Sequence, residues 1–162
     1  MIQEQQLAHE LHLMGKITNI VLDTSTLIHI SRFNLMSKIT PILEIHIPQG
    51  VKKEFGSPPE TLGTLIIENK SENLPVDDQV LSLALELSCP VLSEDRKILQ
   101  KAETQGLEFY NFGLLLILLV LKKALSFDEG YSVWEAFGTT NPYHKDIRDY
   151  CEELFHYIQR KT

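Results

Sequence analysis

The chain has 162 residues, close to the common size of one domain, and 43% of them are hydrophobic against 23% charged. This composition excludes a disordered or a fibrous protein. The net charge of −7 provides no general attraction for nucleic acid, so binding of a polyanion has to be local and assisted by cations. Cys89 and Cys151 show no metal-ligand or redox spacing, and we expect free thiols in the reducing cytoplasm.

Residues 1–16 predict an added N-terminal helix with Leu7, Leu11 and Met14 on one face. The segment lacks the basic start and the apolar stretch of a signal peptide. The most apolar run, residues 113–121, is about half as long as the roughly 20 residues that a membrane span needs. We therefore expect a buried core helix there and no membrane association.

The rest of the chain alternates between predicted strands and predicted helices. Strands are predicted over residues 17–22, 44–47, 64–67, 90–93 and 107–110. Helices are predicted over residues 24–32, 49–55, 77–87, 96–105, 113–124, 127–137 and 146–160. Residues 35–43 continue a helical apolar pattern that Pro41 interrupts. This alternation predicts right-handed crossovers and a parallel sheet that helices cover on both faces.

Four acidic residues lie at the ends of these elements or on a neighbouring helix. Asp23 follows the first strand, Asp95 follows the fourth, Asp77 opens a helix, and Glu54 lies on the helix over residues 49–55. Groups at the carboxyl ends of parallel strands converge on one crevice. Converging carboxylates repel one another, and Mg²⁺ or Mn²⁺, which prefer oxygen ligands, relieve that repulsion. Each acid alone fits a helix cap or a solvated side chain better, whereas the four together favour a metal site.

Four segments in chain order resemble the motifs of the PIN-domain family. They are residues 20–28 (IVLDTSTLI), 47–54 (IPQGVKKE), 77–84 (DDQVLSLA) and 90–95 (PVLSED). The first has a strand, an Asp and a small hydroxyl two residues later; in the second, a Pro and a Val precede the acid. Residues 113–115 and the basic pair at 122–123 resemble a toxin-like, VapC-type branch with extra C-terminal helices.

The resemblance implies a three-layer α/β/α sandwich with a central parallel sheet and metal-dependent endonuclease activity on RNA. It makes residues 1–16 a helical extension, 17–125 a PIN-like domain, and 126–162 helices packed on that same domain. Matched residue by residue, the metal-site positions fall on four acids and the position that orients water at the metal falls on a serine: Asp23, Glu54, Asp77, Asp95 and Ser25.

Two further acids leave the register of the match open. Asp78 competes with its neighbour Asp77 for the third position, and Glu94 competes with Asp95 for the fourth. Both are therefore kept as supporting candidates.

Basic residues close to the acidic motifs are candidates for contacts with a phosphate backbone. Arg96 and Lys97 directly follow Asp95, and Arg32 lies at the end of the helix after Asp23. For most such side chains, full solvation is the better expectation.

The leading hypothesis is a Mg²⁺- or Mn²⁺-dependent ribonuclease that cuts single-stranded RNA with an activated water, with an antitoxin protein as the partner that the toxin-like branch suggests. The alternative is a catalytically silent PIN-like module that binds RNA or a protein. The intact acids favour the enzyme, and the charge of −7 favours the silent module. We also expect a homodimer, from the resemblance and from spare apolar residues in the terminal helices, namely Trp134, Phe137 and Phe155.

Overall fold

The computed structural model describes residues 3–56, 66–68 and 73–162, with the backbone alone at 66–68. The strands are β1 (Asn19–Leu22), β2 (Glu44–Pro48), β3 (Ile66–Glu68), β4 (Val91–Leu92) and β5 (Phe109–Tyr110). The helices are α1 (Glu4–Met14), α2 (Thr24–Arg32), α3 (Met36–Ile39), α4 (Gln49–Phe55), α5 (Val76–Leu87), α6 (Arg96–Thr104), α7 (Phe112–Leu121), α8 (Phe127–Thr140) and α9 (Lys145–Lys161).

The helical pattern predicted over residues 35–43, with its interruption at Pro41, corresponds to α3, which is only one turn long. Pro41 has no amide proton and disfavours helical backbone in the residue before it, so the helix cannot continue. Of the strand predicted over residues 64–67, residues 66 and 67 belong to β3, while 64 and 65 lie outside the described residues.

The five strands form one sheet in the order β3-β2-β1-β4-β5, and each described pairing is parallel. Right-handed crossovers then place α2 to α4 on one face and α5 and α6 on the other. Ile20, Val21 and Leu22 of the central strand β1 are each 0% exposed, as expected for a strand covered on both faces. The predicted α/β class, with a central parallel sheet between helices and extra C-terminal helices, is confirmed.

The chain forms two compact units. The sheet unit comprises Ile17–Phe112, and the helical unit comprises Met1–Lys16 together with Gly113–Thr162. Each unit contains one buried free cysteine, Cys89 in the sheet unit and Cys151 in the helical unit. The packing of residues 126–162 on the same domain as the sheet stays a prediction.

Aromatic side chains form much of the interior of the helical unit. Trp134 is 4% exposed, and Phe137 and Phe155 are 0% exposed. The Phe155 ring lies 6.0 Å from Trp134 and 5.4 Å from Tyr131 between centroids. These residues are therefore not spare, and the homodimer loses one of its two supports and stays a prediction.

The apolar run that opens the helical unit belongs to α7, which has ten residues. Leu115 to Val120 are all buried, as a core helix requires. Within the described ranges, no helix has both the length and the apolar character needed to cross a bilayer.

We expect Gly130→Ala in α8 to lower the free energy of unfolding by about 1–2 kcal/mol. A Cβ at Gly130 would lie 2.4 Å from Cγ2 of Val120, and such overpacking costs about 1–3 kcal/mol, more than the roughly 1 kcal/mol by which Ala favours a helix. The control is Gly138→Ala in the same helix, where no described atom lies within 4 Å of the new Cβ. It should stabilise by about 0.5–1 kcal/mol. Urea unfolding measures both, and equal effects would contradict the packing at Gly130.

Candidate active site

Asp23 lies between β1 and α2 and is only 5% exposed. Its Oδ1 caps α2 by accepting the Thr26 N–H at 2.9 Å, and the Ser25 hydroxyl donates to Oδ1 and Oδ2 at 3.2 and 3.1 Å. The Ser93 hydroxyl also donates to Oδ2. A buried carboxylate that accepts bonds from several donors is fixed in orientation.

Ser93 connects the ends of two neighbouring strands. It follows β4, is 0% exposed, donates to Asp23, and accepts the Asp95 N–H at 2.9 Å. Sequence analysis missed this residue. The available indication was its position, because Ser93 follows Leu92 at the end of β4 just as Asp23 follows Leu22 at the end of β1.

These residues lie where the direction of strand order reverses. From β1 the chain proceeds to β2 and β3 on one side and then returns to β4 and β5 on the other. In open parallel sheets this switch point leaves a crevice at the carboxyl ends of the strands, where ligands usually bind. Asp23 and Ser93 follow the two strands that flank it, and Thr26 ties α2 to β4 through a 3.2 Å bond from Oγ1 to the Leu92 carbonyl.

Asp77 and Asp95 bring two further carboxylates toward Asp23. Asp77 lies in the first turn of α5, and Asp95 caps α6 by accepting the Lys97 N–H at 2.8 Å. The pKa of Asp77 is raised, first by partial desolvation of its carboxyl group and then by the negative charges of Asp95 and Asp23. Asp95 and Asp23 therefore both lie within electrostatic reach of Asp77.

The contacts of the two competing acids favour Asp77 and Asp95 over their neighbours. Asp78 forms an ion pair with Lys101, with Nζ 3.2 Å from Oδ1. Glu94 accepts the Phe112 N–H through Oε1, which ties the end of β4 to the start of α7. Both carboxylates are thus engaged in contacts other than those with Asp23.

Glu54 is exposed in the last turn of α4. Its helix is held to α5 by buried Gln79, whose Oε1 accepts the Gly50 N–H at 3.0 Å and whose Nε2 donates to the Leu74 carbonyl at 2.8 Å. In the described part of the chain, no hydrogen bond or ion pair joins Glu54 to the three aspartates. Its part in the site stays a prediction.

The donor set favours a hard cation, but the described residues do not form a cage. Among them, no group of three or more His, Cys, Asp or Glu side chains is placed to hold one metal ion. The four-carboxylate arrangement that the resemblance implies is thus not assembled here. Mg²⁺ is often bound by only one or two carboxylates, with water and substrate phosphate completing its coordination. Buried Asp23 offers one such carboxylate, and Asp77 or Asp95 as the second stays a prediction.

The basic candidates lie on the two helices that Asp23 and Asp95 cap. Arg96 and Lys97 are exposed in the first turn of α6. Arg32 is exposed at the end of α2, with its guanidinium 5.3 Å from the centre of the Phe33 ring. The half-buried His29 has a lowered pKa, first because of burial and then because of the charge of Arg32. Contact of these cations with nucleic acid stays a prediction.

We expect Ser93→Ala to lower the free energy of unfolding by about 1–3 kcal/mol, because it removes a donor to Asp23 and an acceptor of the Asp95 N–H in a buried place. Ser25→Ala is the matched control: this half-buried hydroxyl also donates to Asp23, and its loss should cost less, about 0.5–1.5 kcal/mol. Chemical denaturation decides between them. A Ser93 variant as stable as the wild type would contradict the bridging role.

Comparison with solved structures gives a similarity of fold. No protein-family model matches the sequence, and no curated protein matches it at a significant level. The structure is similar to that of a PilT N-terminus domain protein from the hyperthermophilic archaeon Sulfolobus solfataricus P2, with 17% sequence identity and a TM-score of 0.47. The match covers 67% of this chain and 95% of that chain. The similarity concerns the fold alone.

Proposed function

We propose that this chain is a metal-dependent endoribonuclease of the PIN type that hydrolyses single-stranded RNA. The observation that supports it is buried Asp23 at the switch point of the sheet, within electrostatic reach of Asp77. Asp23 is buried yet accepts several hydrogen bonds, and the pKa of Asp77 is raised, first by desolvation and then by the charges of Asp95 and Asp23. Such electrostatic conflict between carboxylates is typical of functional sites.

In the proposed reaction, the three aspartates would hold the divalent cation. A bound Mg²⁺ or Mn²⁺ supplies charge neutralisation at the phosphate and activation of water. Asp23 offers a carboxylate of fixed orientation, because Ser25, Thr26 and Ser93 hold it. Asp77 and Asp95 approach from the starts of α5 and α6. The oxygen of water would form the new bond to phosphorus as the bond to the leaving oxygen breaks, with one proton of the water lost to solvent and the leaving oxygen protonated from solvent, so no side-chain nucleophile is required.

A catalytically silent module that binds RNA or a protein is the second candidate. The net charge of −7 supports it, as does the lack of a three-ligand group among the described residues.

Membership of the toxin-like branch, with an antitoxin as partner, belongs with the proposed nuclease and rests on the sequence motifs of residues 113–123.

The experiment that separates the two candidates is cleavage of an end-labelled single-stranded RNA by the full chain. The nuclease predicts fragments with Mn²⁺ or Mg²⁺ and intact RNA with EDTA, whereas the silent module predicts intact RNA in all three. Duplex RNA and single-stranded DNA, incubated in parallel, test the proposed preference for single-stranded RNA.

A further inference from the structure

The outer face of α6 carries a basic strip that begins beside the three aspartates. Lys97 and Lys101 are both exposed and lie four residues apart, so they project from the same face at a rise of about 6 Å along the helix. Asp95 caps this helix, so the strip begins next to an acid of the candidate site. A shallow depression of about 300 Å³ on this face is lined by Lys97, Gln100, Lys101, Thr104 and Gln105.

The lining of this depression contrasts with the acidic chain as a whole. It consists of two lysines and three uncharged polar residues, in a chain whose net charge is −7. A local basic surface is what an acidic protein requires to bind a polyanion. Because a strand positioned for cleavage at the aspartates has to continue past them, the basic face that starts at Asp95 is a suitable path for its backbone.

Lys101 already binds an anionic group of the chain itself. Its Nζ lies 3.2 Å from Oδ1 of Asp78, and the two side chains are 53% and 41% exposed. Ion pairs as exposed as this one contribute little to stability, so a competing anion can replace Asp78 at little cost. Asp78 directly follows Asp77 in the first turn of α5, so this ion pair places Lys101 beside the acidic residues.

We propose that Lys97 and Lys101 bind successive phosphates of the RNA strand next to the cleavage site, and that Asp78 occupies Lys101 until a phosphate displaces it. The identity of the strand as RNA rests on the proposed function. In this arrangement Asp78 is the counterion of Lys101 rather than a metal ligand. The two partners of the ion pair therefore affect RNA binding in opposite directions.

The test is binding of a fluorescein-labelled single-stranded RNA to the full chain, measured by anisotropy in EDTA at several salt concentrations. Lys97→Ala and Lys101→Ala should each weaken binding about fivefold at low salt, as expected for loss of one charge contact. Each should also reduce the salt dependence, the slope of log K against log salt, by about 0.7. Asp78→Asn should strengthen binding about two- to fivefold, since it frees Lys101 and removes a negative charge.

The helical unit offers a control pair of the same kind. Lys145 and Asp149 on α9 form an exposed ion pair, with Nζ 2.6 Å from Oδ2. Lys145→Ala and Asp149→Asn change the net charge as the test variants do, and both should bind RNA like the wild type. Test variants that behave like these controls would overturn the proposal, as would weaker binding by Asp78→Asn or no measurable binding by the wild type.

The outcome is distinguishable from that of the proposed function. If the opposite effects at Lys101 and Asp78 appear but Mn²⁺ causes no cleavage, the basic strip stands and the nuclease fails. If Mn²⁺ causes cleavage and Lys101→Ala binds RNA like the wild type, the nuclease stands and the strip fails.

Discussion

Asp23→Asn is expected to lower the rate of RNA cleavage by about 100-fold or more while leaving the chain folded. In the proposed nuclease, this carboxylate would help to hold a cation whose stabilisation of charge in the transition state amounts to several kcal/mol, and each 1.36 kcal/mol changes the rate about tenfold. Asn retains a side-chain oxygen for the Thr26 N–H and is as good an N-cap as Asp, so α2 should persist.

Single-turnover cleavage in Mn²⁺ measures this effect, and circular dichroism verifies the fold. Asp149→Asn on α9 is the charge-matched control and should cleave at the wild-type rate, because it belongs to the exposed pair with Lys145. Cleavage by the Asp23 variant within a few-fold of the wild type would contradict the assignment of Asp23.

Mn²⁺ is expected to stabilise the folded chain, and the stabilisation should increase with pH. At about 100 times Kd the gain is about 2.7 kcal/mol, which corresponds to a rise in Tm of roughly 5–10 °C for a chain of this size. The pKa of Asp77 is raised above its ordinary value of 3.8, so ionised Asp77 destabilises the metal-free fold. This cost is present above the raised pKa and is relieved as the pH falls through it toward 3.8.

Asp77→Asn tests both the stability of the metal-free chain and its response to Mn²⁺. The metal-free variant should be more stable than the wild type at neutral pH, since the unfavourable charge is absent, and its Tm should respond far less to Mn²⁺. Thermal melts at several pH values, with and without Mn²⁺, measure both effects. If Mn²⁺ raises the Tm of Asp77→Asn as much as that of the wild type, Asp77 is not a ligand. Asp149→Asn is the control, and Mn²⁺ should raise its Tm as much as that of the wild type.

Local pattern was sufficient to predict most of the fold and part of the candidate site. The apolar run over residues 17–22 ends at Asp23 because a polar residue marks the point at which a buried parallel strand leaves the core. The same reasoning predicted that Asp95 lies near the end of β4. The preference of acidic residues for the first turn of a helix predicted that Asp77 lies at the start of α5. These inferences depend on neighbouring residues and on the period of each element.

The remaining features depend on contacts between distant segments. Ser93 belongs to the candidate site because its hydroxyl donates a hydrogen bond to Asp23, 70 residues away. A serine in the sequence does not by itself indicate such a contact. Glu94 and Asp95 are equivalent in the sequence until Phe112, 18 residues away, donates its N–H to Glu94. The placement of Glu54 likewise follows from the contact between Gly50 and Gln79, which no local pattern predicts.

Each compact unit contains one buried cysteine, and the reaction of that thiol with a reagent measures the local unfolding of the unit. Burial raises the pKa of Cys89 to about 11, so in the closed sheet unit its thiol is both shielded and almost wholly protonated. Cys151 is 0% exposed in the helical unit. A thiol-specific reagent therefore reacts with each cysteine only as its own unit opens, and the two labelling rates separate the local opening of the sheet from that of the helices without any substitution.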